Sequence, residues 1–580
     1  MRSVKTGSAL KWTEKVPLSS RIIDPLGIYV LKHLESYFLP GITTQTARLR
    51  YFSLLTWAWK TVEDLNLDPK KVLDIEKIVT LAAALHHLNL SDAPVGIRNL
   101  DSATSFLRSN DTIRIDKYTN FGRKNRIGYG NYYYRGPLAS LNICAKNASG
   151  KTIFSEVGRR IADIFGKIGK NSEEQLLKEE ISKKELEGLT PFCFCSKQIL
   201  PEEKEIWRLV FFGFTKPATG LALSLDFDTF AKFERRELTF PEISADTEID
   251  LEGYLRDIDK LESVFAKNLP EMIKTTIARR AVLLMIMKII HEASPRIDGE
   301  PLNQIIRDCL YYKQFTKDNS IRKIDFGKLR EFSELWEAFV HNLYYINFLE
   351  FAFDILLSSL MLSPNGTTID EIVASFDIKE VMATLRKKGI AMHDDVSDIQ
   401  QIDSYIKHML SGNKTSLTTF PNEKQVALDL RRPISREEKL VDLIILFLLL
   451  KYRFNSFSEK QLKVCDFRDK PLCSILPKTV YATLGRESIP NFFREILSLV
   501  KNRHKLISSM KFALNGTRSW LLTEEDDRLY YYGRKYRLGF YREAKWHNIV
   551  ELLTDMGLIT IEEKRYRLTE LGEEWLAKIF

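Results

Sequence analysis

The chain has 580 residues, of which 44% are hydrophobic, 28% charged and 11% aromatic, the composition of a folded globular protein rather than a disordered or fibrous one. The 86 lysines and arginines stand against 77 aspartates and glutamates, a net charge of +9 that is too small to name a partner by itself. Six cysteines without a CxxC pair speak against both a disulfide scaffold and a zinc ribbon.

No apolar stretch of signal-peptide type follows Met1-Arg2-Ser3-Val4-Lys5. The most apolar run, Leu440 to Leu450, contains Asp442 and stops at Lys451, short of the roughly 20 residues a bilayer span needs. A longer run, Phe339 to Leu362, is interrupted by His341, Asn342, Asn347, Glu350 and Asp354, as in a helix packed inside other helices. The expectation is a cytoplasmic protein with no membrane contact.

In chain order, Thr43 can cap a helix from Thr44 to about Leu65, and Asp68-Pro69 opens another that runs to Leu88. From Asn171 to Leu189, Glu and Lys alternate at spacings of three and four, which reads as a solvated connector helix. Tyr254 to Ala266, Glu271 to His291, Leu302 to Tyr312 and Phe326 to Leu362 follow as helices, with breaks at Pro270, Pro295, Pro301 and Pro364-Asn365-Gly366. The expected fold class is mainly α. The expected domains are an N-terminal helical domain (1–120), a first small module (121–170), a central helical body (171–435), a helical connector (436–515) and a second small module (516–580).

The two modules are copies of one pattern. In the second, Ile549, Leu552, Leu553 and Met556 lie at helical spacing before Gly557, a C-cap glycine. Leu558 to Ile561 alternates as a strand, Glu562-Glu563-Lys564 turns, Arg565 to Leu568 returns, and Thr569 caps a last helix with Gly572 in its first turn. In the first, Leu138, Leu141, Asn142, Ile143 and Cys144 occupy the places of Leu553, Met556, Gly557, Leu558 and Ile559, and Ser155-Glu156-Val157-Gly158 that of Thr569-Glu570-Leu571-Gly572. Upstream, Phe121 to Tyr129 lines up with Tyr532 to Phe540. Pro137 limits the first copy's helix to about two turns if the helix begins at Gly136.

This order of helix, hairpin and helix, with a glycine-leucine step before the hairpin and a threonine-x-x-glycine step after it, resembles winged-helix domains of the MarR and PadR sort. The resemblance implies two winged helix-turn-helix modules that bind duplex DNA, the helix in the major groove and basic side chains on phosphates. The expected DNA contacts are Arg123, Lys124, Arg126, Tyr132, Tyr133, Arg135, Lys146 and Lys151 in the first copy, and Arg534, Lys535, Arg537, Arg542, Lys545, Lys564 and Arg565 in the second. Residues 1–150 hold 21 basic and 12 acidic side chains, so the chain's whole charge excess arises there. Glu562-Glu563 at the second wing tip repels phosphate.

Enzyme signals are sparse, and no catalytic residue, metal ligand or cofactor is expected. His393-Asp394-Asp395 with Asp398 and Asp403 is the tightest cluster of metal-ligand types, but it follows Lys387-Lys388-Gly389 as an acidic loop does, and only His291 could be nominated as a second histidine. Cys193-Phe194-Cys195, Cys465 and Cys473 read as buried thiols, and His86-His87 as a pair ending an apolar helix. There is no phosphate-binding GxxxxGK[ST] loop or GxGxxG turn. The leading expectation is a DNA-binding recognition or scaffold subunit whose helical body docks partner proteins. The layout, though no motif, is similar to that of proteins from bacterial defence or mobile-element gene clusters. The alternatives are a metal-dependent nuclease or phosphohydrolase targeted by the winged helices, and an interaction scaffold that touches no nucleic acid.

Overall fold

The computed structural model describes residues 39, 41–43, 46–90, 99–118, 129–141, 143–146, 152–169, 172–212, 271–390, 396–459, 461–462, 477–516, 518–532 and 545–577. The fold among them is mainly helical. Helices α1 (Leu49–Asp64), α2 (Lys71–Leu90), α3 (Tyr129–Ser140), α4 (Glu156–Gly166), α5 (Pro201–Phe212) and α6 (Glu271–Ala293) are followed by α7 (Arg330–Met361), α8 (Arg436–Asn455), α9 (Ile489–Asn515), α10 (Trp546–Asp555) and α11 (Glu570–Ala577). Described strands occur as antiparallel pairs: β1 (Thr112–Arg114) with β4 (Glu180–Ser182), β2 (Cys144–Lys146) with β3 (Thr152–Phe154), β5 (Gln314–Lys317) with β6 (Ser320–Lys323), β7 (Leu522–Glu525) with β8 (Arg528–Tyr531), and β9 (Ile559–Glu562) with β10 (Arg565–Leu568).

Two compact units share these elements. One takes its described residues from Arg307–Ile324 and Ser333–Arg542, the other from Glu35–Ile306, Asp325–Phe332 and Glu543–Phe580. The segment 516–580 is thus divided: the hairpin β7–β8 lies in the first unit and everything from Glu543 in the second.

In the first unit, α8 is buried from Leu440 to Leu450, and the one charged residue of this otherwise apolar run, Asp442, is paired with Lys388. A span from 327 to 361 is long and apolar enough to cross a membrane, but most of its apolar window is buried, and its His341 meets the Tyr481 hydroxyl at 3.1 Å. The core also buries charge. The Arg453 guanidinium donates to Glu423 (3.0 Å) and Glu337 (2.9 Å) and stacks 4.0 Å over the Tyr311 ring, while the Tyr311 and Tyr312 hydroxyls donate to Glu423 at 3.0 and 3.1 Å. Buried charges are tolerable when paired and hydrogen-bonded in this way, and no buried side-chain atom of Arg453, Glu423 or Glu337 lacks a partner. The β7–β8 hairpin gains an extra bridge between Leu529 and Thr367.

The second unit is built on α1, whose residues Leu49 to Ala58 are all buried, packed against α3, α4 and α2. Helix α5 closes this core. The Trp207 indole N–H donates to the Ser53 hydroxyl (2.8 Å), and the buried Arg50 meets Glu203 at 3.3 Å. Helix α6 packs on α5, α10, α11 and β10, and its Arg279 donates to the carbonyls of Phe211 and Val210, both at 3.0 Å.

Residues 171–189 do not form the expected connector helix. A short helix, Glu173–Leu176, gives way to β4 and a second helix, Lys183–Gly188, that Ser182 and Glu185 cap reciprocally. The reason is Ile181: in a strand it faces Ile113 of β1, and both side chains are buried, a gain that outweighs weak Glu–Lys pairs on a solvated helix. The helix expected at Tyr254 to Ala266 lies outside the described residues. Helix α3 begins at Tyr129, so the tyrosines before Gly136 belong to it, and Pro137 sits in its last turn.

Candidate nucleic-acid interface

The two copies share one hydrogen-bond skeleton. After α10, Met556 N–H donates to Leu552 O (2.9 Å) and Leu558 N–H to Leu553 O (2.9 Å); after α3, Leu141 N–H donates to Pro137 O (2.9 Å) and Ile143 N–H to Leu138 O (3.0 Å). Gly557 takes the positive φ of +75° expected of a helix-ending glycine. The chain then returns to the residue that entered the hairpin: Thr569 N–H donates to Leu558 O (3.1 Å), and Ser155 N–H to Ile143 O (3.0 Å). Each hydroxyl caps the following helix, the Thr569 Oγ1 accepting from Gly572 N–H (3.1 Å) and the Ser155 Oγ from Gly158 N–H (3.0 Å).

The glycines of the two cap motifs have a steric cause. A Cβ at Gly158 would stand 2.3 Å from Ile143 O, and one at Gly572 2.3 Å from Leu558 O. Only glycine lets the last helix lie this close to the strand entry. Leu138, Leu141, Leu553 and Met556 are buried alike.

The surroundings of the copies differ. The wing of the C-terminal copy turns at Glu563 and Lys564, both at positive φ, and its return strand is extended by the segment after α6. There Arg296 bridges to Arg565, Ile297 N–H donates to Lys564 O (2.9 Å), Tyr566 N–H to Pro295 O (2.9 Å), and the Arg565 guanidinium to Ser294 O (3.2 Å). His547 N–H reaches Asn303 Oδ1 at 3.0 Å. Elements from about 250 residues upstream therefore complete the C-terminal copy.

No residue of α10 is exposed. Trp546, Ile549, Val550, Leu552 and Leu553 are buried apolar residues, and Asn548, Glu551 and Asp555 meet the segment that leads into α1. Arg48 binds Asp555 (2.9 Å) and Glu551 (3.1 Å), Leu49 N–H donates to Asp555 (2.9 Å), and the Asn548 amide donates to Thr43 O (2.7 Å). Asp555 so places a carboxylate at the N-terminus of α1, where a negative charge is favoured. Burial nevertheless pushes its carboxyl up to about 7. Arg48 is buried too, but the charges of Asp555 and Glu551 outweigh the desolvation and raise it further.

Of the expected contacts in the C-terminal copy, Arg565 is engaged by protein, Lys564 is exposed with its amine 3.6 Å from Asp298, and Lys545 is half-buried at the start of α10. Arg534, Lys535, Arg537 and Arg542 lie outside the described residues, as do Arg123, Lys124, Arg126 and Lys151. Tyr132 and Tyr133 lie within α3 and Lys146 within β2. Arg135 is half-buried, its guanidinium 5.6 Å from the Trp59 ring centre. Gly136, Ala139 and Ser140 are exposed on α3.

The nominated hydrolase residues have structural partners where they are described. Asp398 caps the helix Ile399–Leu410, buried Asp403 binds Lys451 (2.8 Å) and Lys407 (2.9 Å), and His291 meets Glu573 at 3.3 Å. His393, Asp394 and Asp395 lie outside the described residues. The sequence treated His86-His87 and Cys193-Phe194-Cys195 as unconnected, whereas the structure brings all four side chains together. The Cys193 Sγ is 3.2 Å from His87 Nε2 and the Cys195 Sγ 3.9 Å from His86 Nδ1. A hydrogen bond from Cys193 lowers the Cys195 thiol, whereas the Cys193 thiol is raised.

No protein-family model, curated protein or solved structure matches the chain. Any functional reading therefore rests on the residues themselves.

Proposed function

We propose that the chain binds duplex DNA as a recognition subunit, through the N-terminal of two winged-helix copies, while the C-terminal copy serves as an internal brace. The observation that carries this reading is the contrast between the helices that precede the two wings. No residue of α10 is fully exposed, and its two carboxylates are committed to Arg48, whereas α3 exposes Gly136, Ala139 and Ser140. The chain's charge excess also lies within residues 1–150, the stretch of sequence that contains α3. Small residues on an exposed helix permit close approach to a groove, and flanking basic residues supply the phosphate contacts that dominate affinity.

The test is fluorescence anisotropy of a labelled duplex against salt concentration. Replacing Arg123, Lys124 and Arg126 by Ala should weaken binding across sequences and flatten the log–log salt slope by about 3, one per lost phosphate contact. Replacing Lys564 by Ala should leave the slope unchanged. Failure of the wild type to bind duplex DNA would favour the interaction scaffold.

A further inference from the structure

Two ligand pairs that lie far apart in the sequence meet in the core of the second unit. Helix α2 presents His86 and His87 near its C-terminal end, with ring centroids 4.8 Å apart, and the loop after the 3-10 turn Thr190–Phe192 presents Cys193 and Cys195. One ligand atom from each of the four lies within 4.8 Å of every other. Cys193, Cys195 and His87 are buried, and His86 is half-buried.

We propose that His86, His87, Cys193 and Cys195 bind one Zn2+ ion as a closed, four-ligand structural site. In a tetrahedral zinc centre the usual Zn–S and Zn–N bond lengths put a sulfur and a nitrogen roughly 3.5 Å apart. The two S···N separations here, 3.2 and 3.9 Å, lie on either side of that value. His87 would ligate through Nε2 and His86 through Nδ1. Two thiolates would cancel the charge of the ion, so the filled site is neutral, as burial requires.

The surroundings hold the ligands in place. The buried Arg50 guanidinium donates to the carbonyls of Pro191 (2.5 Å) and Cys193 (2.8 Å), and the Phe194 ring stacks on Tyr51 with centroids 3.8 Å apart. The Gln198 amide lies 3.5 Å from His86 Nε2, the ring nitrogen left over when Nδ1 ligates. With its amide turned to present Oε1, Gln198 accepts that N–H and fixes the tautomer, the outer-shell partner that ligating histidines normally have. With four protein ligands the ion has no open position for substrate, so its role is to tie α2 to the loop that leads into α5.

The full chain, purified without chelator and then exchanged into metal-free buffer, should retain one zinc per chain by mass spectrometry of the metal. Cys193→Ser with Cys195→Ser should abolish that zinc, whereas Cys144→Ser and Cys309→Ser should retain it. Cobalt exchanged into the wild type should give thiolate-to-cobalt charge transfer and the visible bands of tetrahedral Co2+, and His87→Ala should lose the tetrahedral bands. If the double serine variant does not fold, Cys195→His keeps four ligands and should bind cobalt with weakened charge transfer. Wild-type protein that holds no stoichiometric zinc after zinc is added, or zinc that survives the double serine change, would overturn the proposal.

Discussion

The N- and C-terminal copies of the helix–hairpin–helix repeat differ little inside and greatly outside. Inside, the same carbonyl receives the capping residue and forbids a Cβ on the glycine three positions later, at Ile143 with Gly158 and at Leu558 with Gly572. Outside, α10 is covered and its wing is extended by residues 294–297, while α3 keeps exposed positions. A repeated skeleton therefore fixes a module's fold without fixing which of its outer faces the rest of the chain covers.

The largest expected effect breaks the cover. Arg48→Ala leaves Asp555 and Glu551 without their cation, and removing one partner of a buried pair costs about 3–5 kcal/mol. Urea unfolding followed by tryptophan fluorescence should show the loss; an unchanged midpoint would mean that α10 is not held by this contact. Next come Gly158→Ala and Gly572→Ala, each costing about 1–3 kcal/mol because a backbone carbonyl stands where the methyl must go. Comparable losses would sharpen the equivalence of the copies, and a loss in one alone would break it.

A pH effect separates the copies further. Asp555 lies at about 7 in the folded chain against an ordinary 3.8, so between those values the folded chain keeps a proton that the unfolded chain has released. Stability from this site therefore falls as pH rises through that window. The stability difference, wild type minus Asp555→Asn, should decline between pH of about 4 and about 7 and level off above that. A rising difference would contradict the assignment to burial. The smallest effect is that of Lys564→Ala, within about 0.5 kcal/mol, because its contact with Asp298 is exposed.

The repeat was legible because its signals are local: a glycine where a helix ends, alternating apolar residues in the hairpin, and a hydroxyl three residues before a glycine. What stayed hidden depends on distant partners. Nothing near Arg565 announces Ser294, and nothing near Glu551 announces Arg48. A sequence shows the charge of Arg565 but not the Ser294 carbonyl that occupies it. His87 and Cys193 are 106 positions apart, and adjacent histidines on a helix match no familiar ligand spacing. The error at 171–189 had a local cause, since charge periodicity hid Ile181.

The division of labour between the copies is tested most directly by amide hydrogen exchange with and without a short duplex DNA. The account predicts new protection in peptides covering residues 121–151, including α3, and unchanged exchange in those covering α10 and the β9–β10 wing. Protection by DNA at α10 and its wing, with none at α3, would contradict it.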